Sequence, residues 1–410
     1  MLLSFRVANV LSFCDEQNLS FVATEFHDGP ALQTQVREHG KRIAVLPVLG
    51  VYGANASGKS NLLTALRLMR DTVLDSLGWL SDPKPVRRIP FALDADSKQT
   101  PSFYEVEMIL PDGVRYTYGF EIDDDRIRGE WLHAYPKGRK QIWFDRTDND
   151  IDFPGEGLRG EKQELERRTR PDTLFLSVGA LFNHEQLLPV FEWFRDNLQL
   201  TNPETGRIER ERKTSSRLTR DPAFRDRVSR VLQIADLGIV GFDEAALARS
   251  EIRLLHKAGA RQIPLDFDRE SLGTRSWLAL LGTLLETLES GSIILVDELD
   301  ASLHPVISAE AVRMFQDPAA NPRKAQMIFT SHDATLLYTL LGSDRVLQRD
   351  TVWLTEKRPD GATDLYPLTS VNPPPRKEDN LFRKYLLGTY GGVPRVSSGM
   401  VAREIEELTA

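Results

Sequence analysis

Leu3, Phe5 and Val7 alternate with Ser4 and Arg6, and Leu19, Phe21 and Ala23 repeat the pattern after a polar break. A period of two marks a half-buried strand, so the chain is expected to open with two short strands. Residues 43–49 are apolar throughout, which suits a strand buried on both faces of a parallel sheet. Pro47 inside that run has no N–H for a ladder and marks an irregularity or a late strand start. Leu62, Leu63, Leu66 and Met69 then recur at helical spacing. Residues 103–144 return to short alternating strands with Pro111-Asp112-Gly113 as a turn, which predicts an antiparallel patch.

Between residues 158 and 237 the chain becomes charged, arginine-rich and helical, as in 191–198 and 224–234, with Pro203 and Pro222 as breaks. An inserted helical subdomain is expected there. Residues 252–255 and 263–267 flank Lys257-Ala258-Gly259-Ala260 as a hairpin, and 271–288 come next as a helix. Two more buried strands, 293–296 and 327–330, resume the α/β core.

Composition adds exclusions. With 41% hydrophobic and 27% charged residues, the 410-residue chain sits near the globular average, so it is expected to fold throughout. Its most apolar helical stretch, 277–285, is far too short to cross a bilayer, so no membrane partner is expected. The first thirteen residues lack a basic leader and a cleavage site, which points to a cytoplasmic protein. One cysteine, Cys14, allows no internal disulfide and no cysteine cluster for zinc. A net charge of -8 gives no global reason to bind nucleic acid, so any such contact must be local.

The chemistry is carried by three motifs. Gly53-Ala54-Asn55-Ala56-Ser57-Gly58-Lys59-Ser60 matches G-x-x-x-x-G-K-[ST] between a predicted strand and a predicted helix. Such a loop points its N–H groups and a helix N-terminus at a phosphate chain. Gly53, Ala54, Asn55, Ser57, Gly58, Lys59, Ser60 and Asn61 form the expected ATP-binding set, with Lys59 on the β- and γ-phosphates and Ser60 on magnesium. Asp297 and Glu298 emerge from the four apolar residues 293–296, at the strand end where open α/β sheets bind ligands. Asp297 is expected to hold magnesium, and Glu298 to orient or deprotonate the attacking water. Ser331-His332-Asp333 comes after the next apolar strand, where His332 can contact and report the γ-phosphate.

These motifs, with Ser271-Leu272-Gly273-Thr274-Arg275 between them and Asp297-Glu298-Leu299-Asp300 leading to Ser302-Leu303-His304-Pro305, stand in the order of the ABC-type ATPase heads. The chain resembles the branch shared with RecF, the structural-maintenance-of-chromosomes heads and the overcoming-lysogenization-defect nucleases. It is most similar to the bacterial RloA-like AAA-family ATPases, whose S-x-G-T signature it carries. The ending Tyr385-Leu386-Leu387-Gly388-Thr389-Tyr390-Gly391-Gly392-Val393-Pro394 shares the likeness.

The resemblance implies an α/β, ABC-type P-loop ATPase head with an antiparallel β subdomain and an inserted helical subdomain. Its expected parts are 1–75, N-terminal strands and P-loop core; 76–157, antiparallel region; 158–250, helical insertion; and 251–410, signature, acidic strand end and histidine. It also implies that ATP and Mg2+ are the ligands, and that Ser271, Gly273 and Thr274 meet the γ-phosphate bound by the opposite subunit of a homodimer or higher homo-oligomer. Asp300 takes the D-loop position. No magnesium-sensing glutamine is assigned, Gln99 and Gln141 being weak matches, and the signature is not the L-S-G-G-Q of transporters.

Two functions stay open. One is a regulatory ATPase that assembles on ATP and controls an effector, a nuclease or toxin, in anti-phage defence; the stretch after Pro394 is too short for a nuclease domain, so that activity is expected from a partner. The other is a RecF-like repair ATPase that binds DNA. A basic segment, Arg207, Arg210, Arg212, Lys213, Arg217 and Arg220, suits phosphate backbones or an acidic partner. Glu209 and Glu211 interrupt it and favour a solvated linker.

Overall fold

A computed structural model describes every residue except 39, 82–87, 202–206, 236–237, 302, 339–344, 395–398, 401–402, 404 and 406–410. Pro203 and Ser302, expected as a helix break and as part of the D-loop segment, lie outside the described residues.

The strands that lead into the three sequence motifs belong to one mixed sheet. Among the described residues its strands run in the order Leu198–Thr201, Ile293–Val296, Gln326–Thr330, Val48–Gly53, Val352–Lys357 and Thr363–Pro367. The first five are mutually parallel and the last pairs antiparallel at the edge. Parallel strands are covered on both faces, and alternate residues duly enter two different cores. Leu49, Val51, Ile293, Leu295 and Ile328 face the helix Lys59–Asp75 and a second, antiparallel sheet. Val48, Tyr52, Ile294, Val296, Met327 and Phe329 face the helices Leu272–Ser290 and Pro305–Gln316.

The apolar run 43–49 is divided at its proline. Lys41–Val45 pairs with Leu32–Glu38 in a separate two-stranded sheet, and the P-loop strand begins only at Val48. Pro47 still serves the ladder as an acceptor, its carbonyl taking the Met327 N–H at 2.9 Å. The late start is thus what a residue without an N–H allows.

The antiparallel sheet runs Asp150–Asp152, Gln141–Thr147, Ile127–Tyr135, Arg115–Ile122, Ser102–Ile109, Leu2–Ala8, Gln17–Ser20. Its turn at Pro111-Asp112-Gly113 is closed by the Gly113 N–H on the Leu110 carbonyl, with Gly113 at φ 76°. The two opening strands pair with each other and join this sheet through Ser102–Ile109. Gln326, fully buried, ties the two sheets together: its amide accepts the Leu2 N–H at 2.7 Å and donates to the Leu2 carbonyl at 2.9 Å.

Within 158–250 lie the helices Lys162–Arg168, Phe175–Leu181, Leu188–Asn197, Arg207–Arg220 and Pro222–Ala235, together with the strand Leu198–Thr201, which packs on Leu188–Asn197 and belongs to the parallel sheet. That stretch therefore contributes to the core as well as to the surface. The hairpin Arg253–Ala258 and Arg261–Asp266 pairs across Gly259 at φ 62°, with Ile239–Phe242 as a third strand. The helix after it ends where Gly291 adopts φ 72°, the left-handed C-terminal cap that glycine permits.

Candidate functional site

Five parallel strands place their carboxyl ends on one side of the sheet, and the predicted residues lie there. Gly53 ends the P-loop strand, Asp297 comes directly after Val296, and Ser331 directly after Thr330. The loop turns on Ala56 at φ 61° and Gly58 at φ 104°, after which Lys59 opens its helix. A side chain on Gly58 has no room: its Cβ would stand 2.3 Å from Thr363 Oγ1. Gly53 is equally confined, 2.3 Å from Thr355 Oγ1. Both glycines let the backbone wrap closely against the next strands.

Lys59 folds back beneath the loop. It is 5% exposed, and its Nζ donates to the Gly53 and Ala54 carbonyls at 2.8 and 3.0 Å. Burial pushes the ammonium down to about 8, against the opposing pull of Asp297, Asp300 and Glu298. Phosphate binding needs the charged form. If Lys59 is the residue that meets phosphate, ATP affinity should be flat below pH ~8 and weaken by about tenfold per unit above it, as the ammonium must be re-protonated on binding. Calorimetry in buffers of different ionisation enthalpy measures the proton uptake; an affinity independent of pH between 7 and ~9.5 would contradict this role.

The Ser60 hydroxyl donates to Asp297 Oδ1 at 2.9 Å, joining residues 237 positions apart. Thr330 organises the acidic pair. Its hydroxyl donates to Asp297 Oδ1 at 2.7 Å and accepts the Glu298 N–H at 2.8 Å, while its carbonyl takes the Leu299 N–H. Glu298 is thereby held at φ 56°, a left-handed conformation costing about 1–3 kcal/mol for a residue with a side chain. His332 Nε2 lies 4.0 Å from Glu298 Oε1, and the His332 N–H donates to Asp300 Oδ1 at 3.2 Å. Lys59, Ser60, Asp297, Glu298, Asp300 and His332 thus converge.

Other expected residues sit differently. Asn61 donates its amide to Ser12 Oγ at 2.8 Å. Ser271 caps the helix Leu272–Ser290 by accepting the Thr274 N–H at 3.1 Å, with the Thr274 hydroxyl 2.9 Å away. Ser271 and Leu272 are nevertheless exposed, and these bonds stay within the first turn. His304 caps the helix Pro305–Gln316 through Nδ1.

Sequence reasoning missed the residues that brace the loop from behind. Thr363 donates to the Ser57 carbonyl at 2.9 Å and shares a bond with Ser12 Oγ at 2.8 Å; Ser57 and Thr355 hydroxyls meet at 2.6 Å. Thr330 had a faint signal, a hydroxyl closing an apolar strand directly before Ser331. Ser12, Thr355 and Thr363 had none.

Hard oxygen donors paired at 2.9 Å, a hydroxyl and a carboxylate, suit a magnesium ion, which takes one or two carboxylates with water and substrate phosphates. Ser60 and Asp297 would hold it. Among the described residues no cluster of three or more His, Cys, Asp or Glu forms another metal site, and no helix is long and apolar enough to cross a membrane.

Residues 48–337 match the family model described as "AAA domain, putative AbiEii toxin, Type IV TA system". The match begins with the P-loop strand and ends just past His332. No curated protein matches the chain. Solved structures include the recombination mediator RecF bound to ATP, 13% identical over 89% of this chain and 97% of that one, with a TM-score of 0.37. Another is the same mediator described as RecF-ATPrS, 12% identical over 89% and 98%, with a TM-score of 0.32. Likenesses this loose leave the fold to rest on the strand order and site geometry given above.

Proposed function

The chain belongs to the AAA-domain family described as a putative AbiEii toxin of a type IV toxin–antitoxin system, and on that premise we propose that it is an ATP-hydrolysing switch. The observation that carries this reading is the Ser60–Asp297 contact, which brings the phosphate loop and the acidic strand end to one point. The P-loop N–H groups and Lys59 bind and orient the phosphate chain. Ser60 and Asp297 would hold a magnesium ion, which when bound would supply positive charge to offset that of the phosphates. Glu298 orients a water and accepts its proton as the water oxygen bonds to the γ-phosphorus and the bond to the bridging oxygen breaks. His332, beside Glu298 and tied to Asp300, senses the terminal phosphate.

ATP then acts as an assembly signal. Ser271 and Leu272 are exposed at a helix N-terminus suited to an anion. In ABC-type heads the equivalent turn meets the γ-phosphate of the opposite subunit, so ATP stabilises a homodimer that ADP does not, and hydrolysis releases it. Membership of a family described as a putative type IV toxin–antitoxin component supports a role in bacterial defence, with the switch controlling a partner effector. Phosphate release from ATP tests the enzymatic part. Turnover should require magnesium and stop in excess chelator, and purified protein with no turnover at saturating ATP and magnesium would remove the enzymatic reading.

A further inference from the structure

The basic side chains of the helix Arg207–Arg220 divide by face. Lys213 Nζ lies 2.5 Å from Glu286 Oε2, and Arg217 binds Glu289 at 2.6 Å and Asp221 at 3.1 Å. These charges join the helix to Leu272–Ser290 and are spent on packing. Arg212 and Arg220 are exposed, and among the described residues neither makes an ion pair. Arg212, Ser215, Ser216, Thr219 and Arg220 recur at i, i+3, i+4, i+7 and i+8, which sets them in one stripe along the helix. A merely solvated stripe would face open water. This one lines a cleft of about 620 Å³ whose other wall holds Phe267 and Arg275.

We propose that this cleft binds a single nucleic-acid strand through its phosphates. A guanidinium at each end of the stripe matches phosphate oxygens in a fixed fork, and the Ser215 and Ser216 hydroxyls between them supply neutral donors of the kind that commonly contact the backbone, while the Thr219 hydroxyl donates to the Ser216 carbonyl at 2.9 Å. Eight residues of helix separate the arginines by about 12 Å, so they address two different phosphates of a chain rather than one anion. The carboxylates nearby do not cancel them. Glu211 is committed to Arg275 at 3.0 Å, and the Asp268 side chain is 93% exposed at the rim. The contact is local, as a chain of net charge -8 requires.

Binding here is independent of the nucleotide-site reading, because it is measured without ATP. Fluorescence anisotropy with a labelled oligothymidylate of about ten nucleotides and the full chain should show binding that weakens with salt. The double variant Arg212→Glu/Arg220→Glu should bind more than about tenfold more weakly, and Arg212→Gln/Arg220→Gln should flatten the salt dependence by roughly 0.7 in log–log slope for each phosphate no longer neutralised. Arg230→Glu, on the neighbouring helix, should bind as the wild type does. No binding by the wild type at low salt, unchanged affinity in both double variants, or a duplex of the same length binding as tightly as the strand would each overturn the proposal.

Discussion

Replacing Glu298 by Gln should leave ATP binding intact and lower hydrolysis by about 10²- to 10⁴-fold, the usual contribution of a positioned general base. The amide keeps the size of the carboxylate but cannot accept the proton of the attacking water. Nothing else in the site should move. Backbone bonds from Glu298 and Leu299 to Thr330 fix this turn, and the Ser60–Asp297 contact does not involve the Glu298 side chain. Single-turnover phosphate release, with ATP affinity measured in parallel, separates the two effects. A variant that hydrolyses at the wild-type rate would remove Glu298 from the mechanism.

Lys59→Ala should have the opposite signature, a loss of binding. The ammonium is the one cationic side chain of the phosphate loop, and a buried charge contact of this kind is worth about 3 kcal/mol or more, roughly a hundredfold in affinity. Lys59 also ties the Gly53 and Ala54 carbonyls together, so its loss leaves the loop without its internal brace. Calorimetry should find ATP binding weakened beyond that factor while the thermal transition stays cooperative. Unchanged affinity in a folded variant would reject the assignment of the site.

The site was legible where chemistry and spacing are local. A P-loop is eight consecutive residues, and an acidic pair after four buried apolar residues can be read without knowing what packs around it. Residues that reach the site from elsewhere could not be read so. Thr363 touches Ser57 across 306 positions, and no spacing rule links them. The same holds for the fold. Alternation revealed the opening strands but not which sheet they join, because that choice is made by pairing with Ser102–Ile109, about a hundred positions away along the chain. Leu198–Thr201, four residues at the end of a helical stretch, becomes a strand only through its parallel neighbour Ile293–Val296. The arginine run was ambiguous for a similar reason. Lys213 and Arg217 became structural once Glu286 and Glu289 were placed opposite them, which left Arg212 and Arg220 to the cleft.

ATP-driven assembly is the central claim, and light scattering on Glu298→Gln tests it most directly, because that variant should hold ATP without consuming it. Saturating ATP with magnesium should raise the mass to a dimer or higher multiple, and ADP should leave it unchanged. Adding Ser271→Arg should prevent the rise: it places a long side chain where a second subunit must approach closely, and removes a helix cap worth about 1 kcal/mol. A mass that stays constant with ATP bound, or a Ser271→Arg variant that assembles as its parent does, would contradict the account.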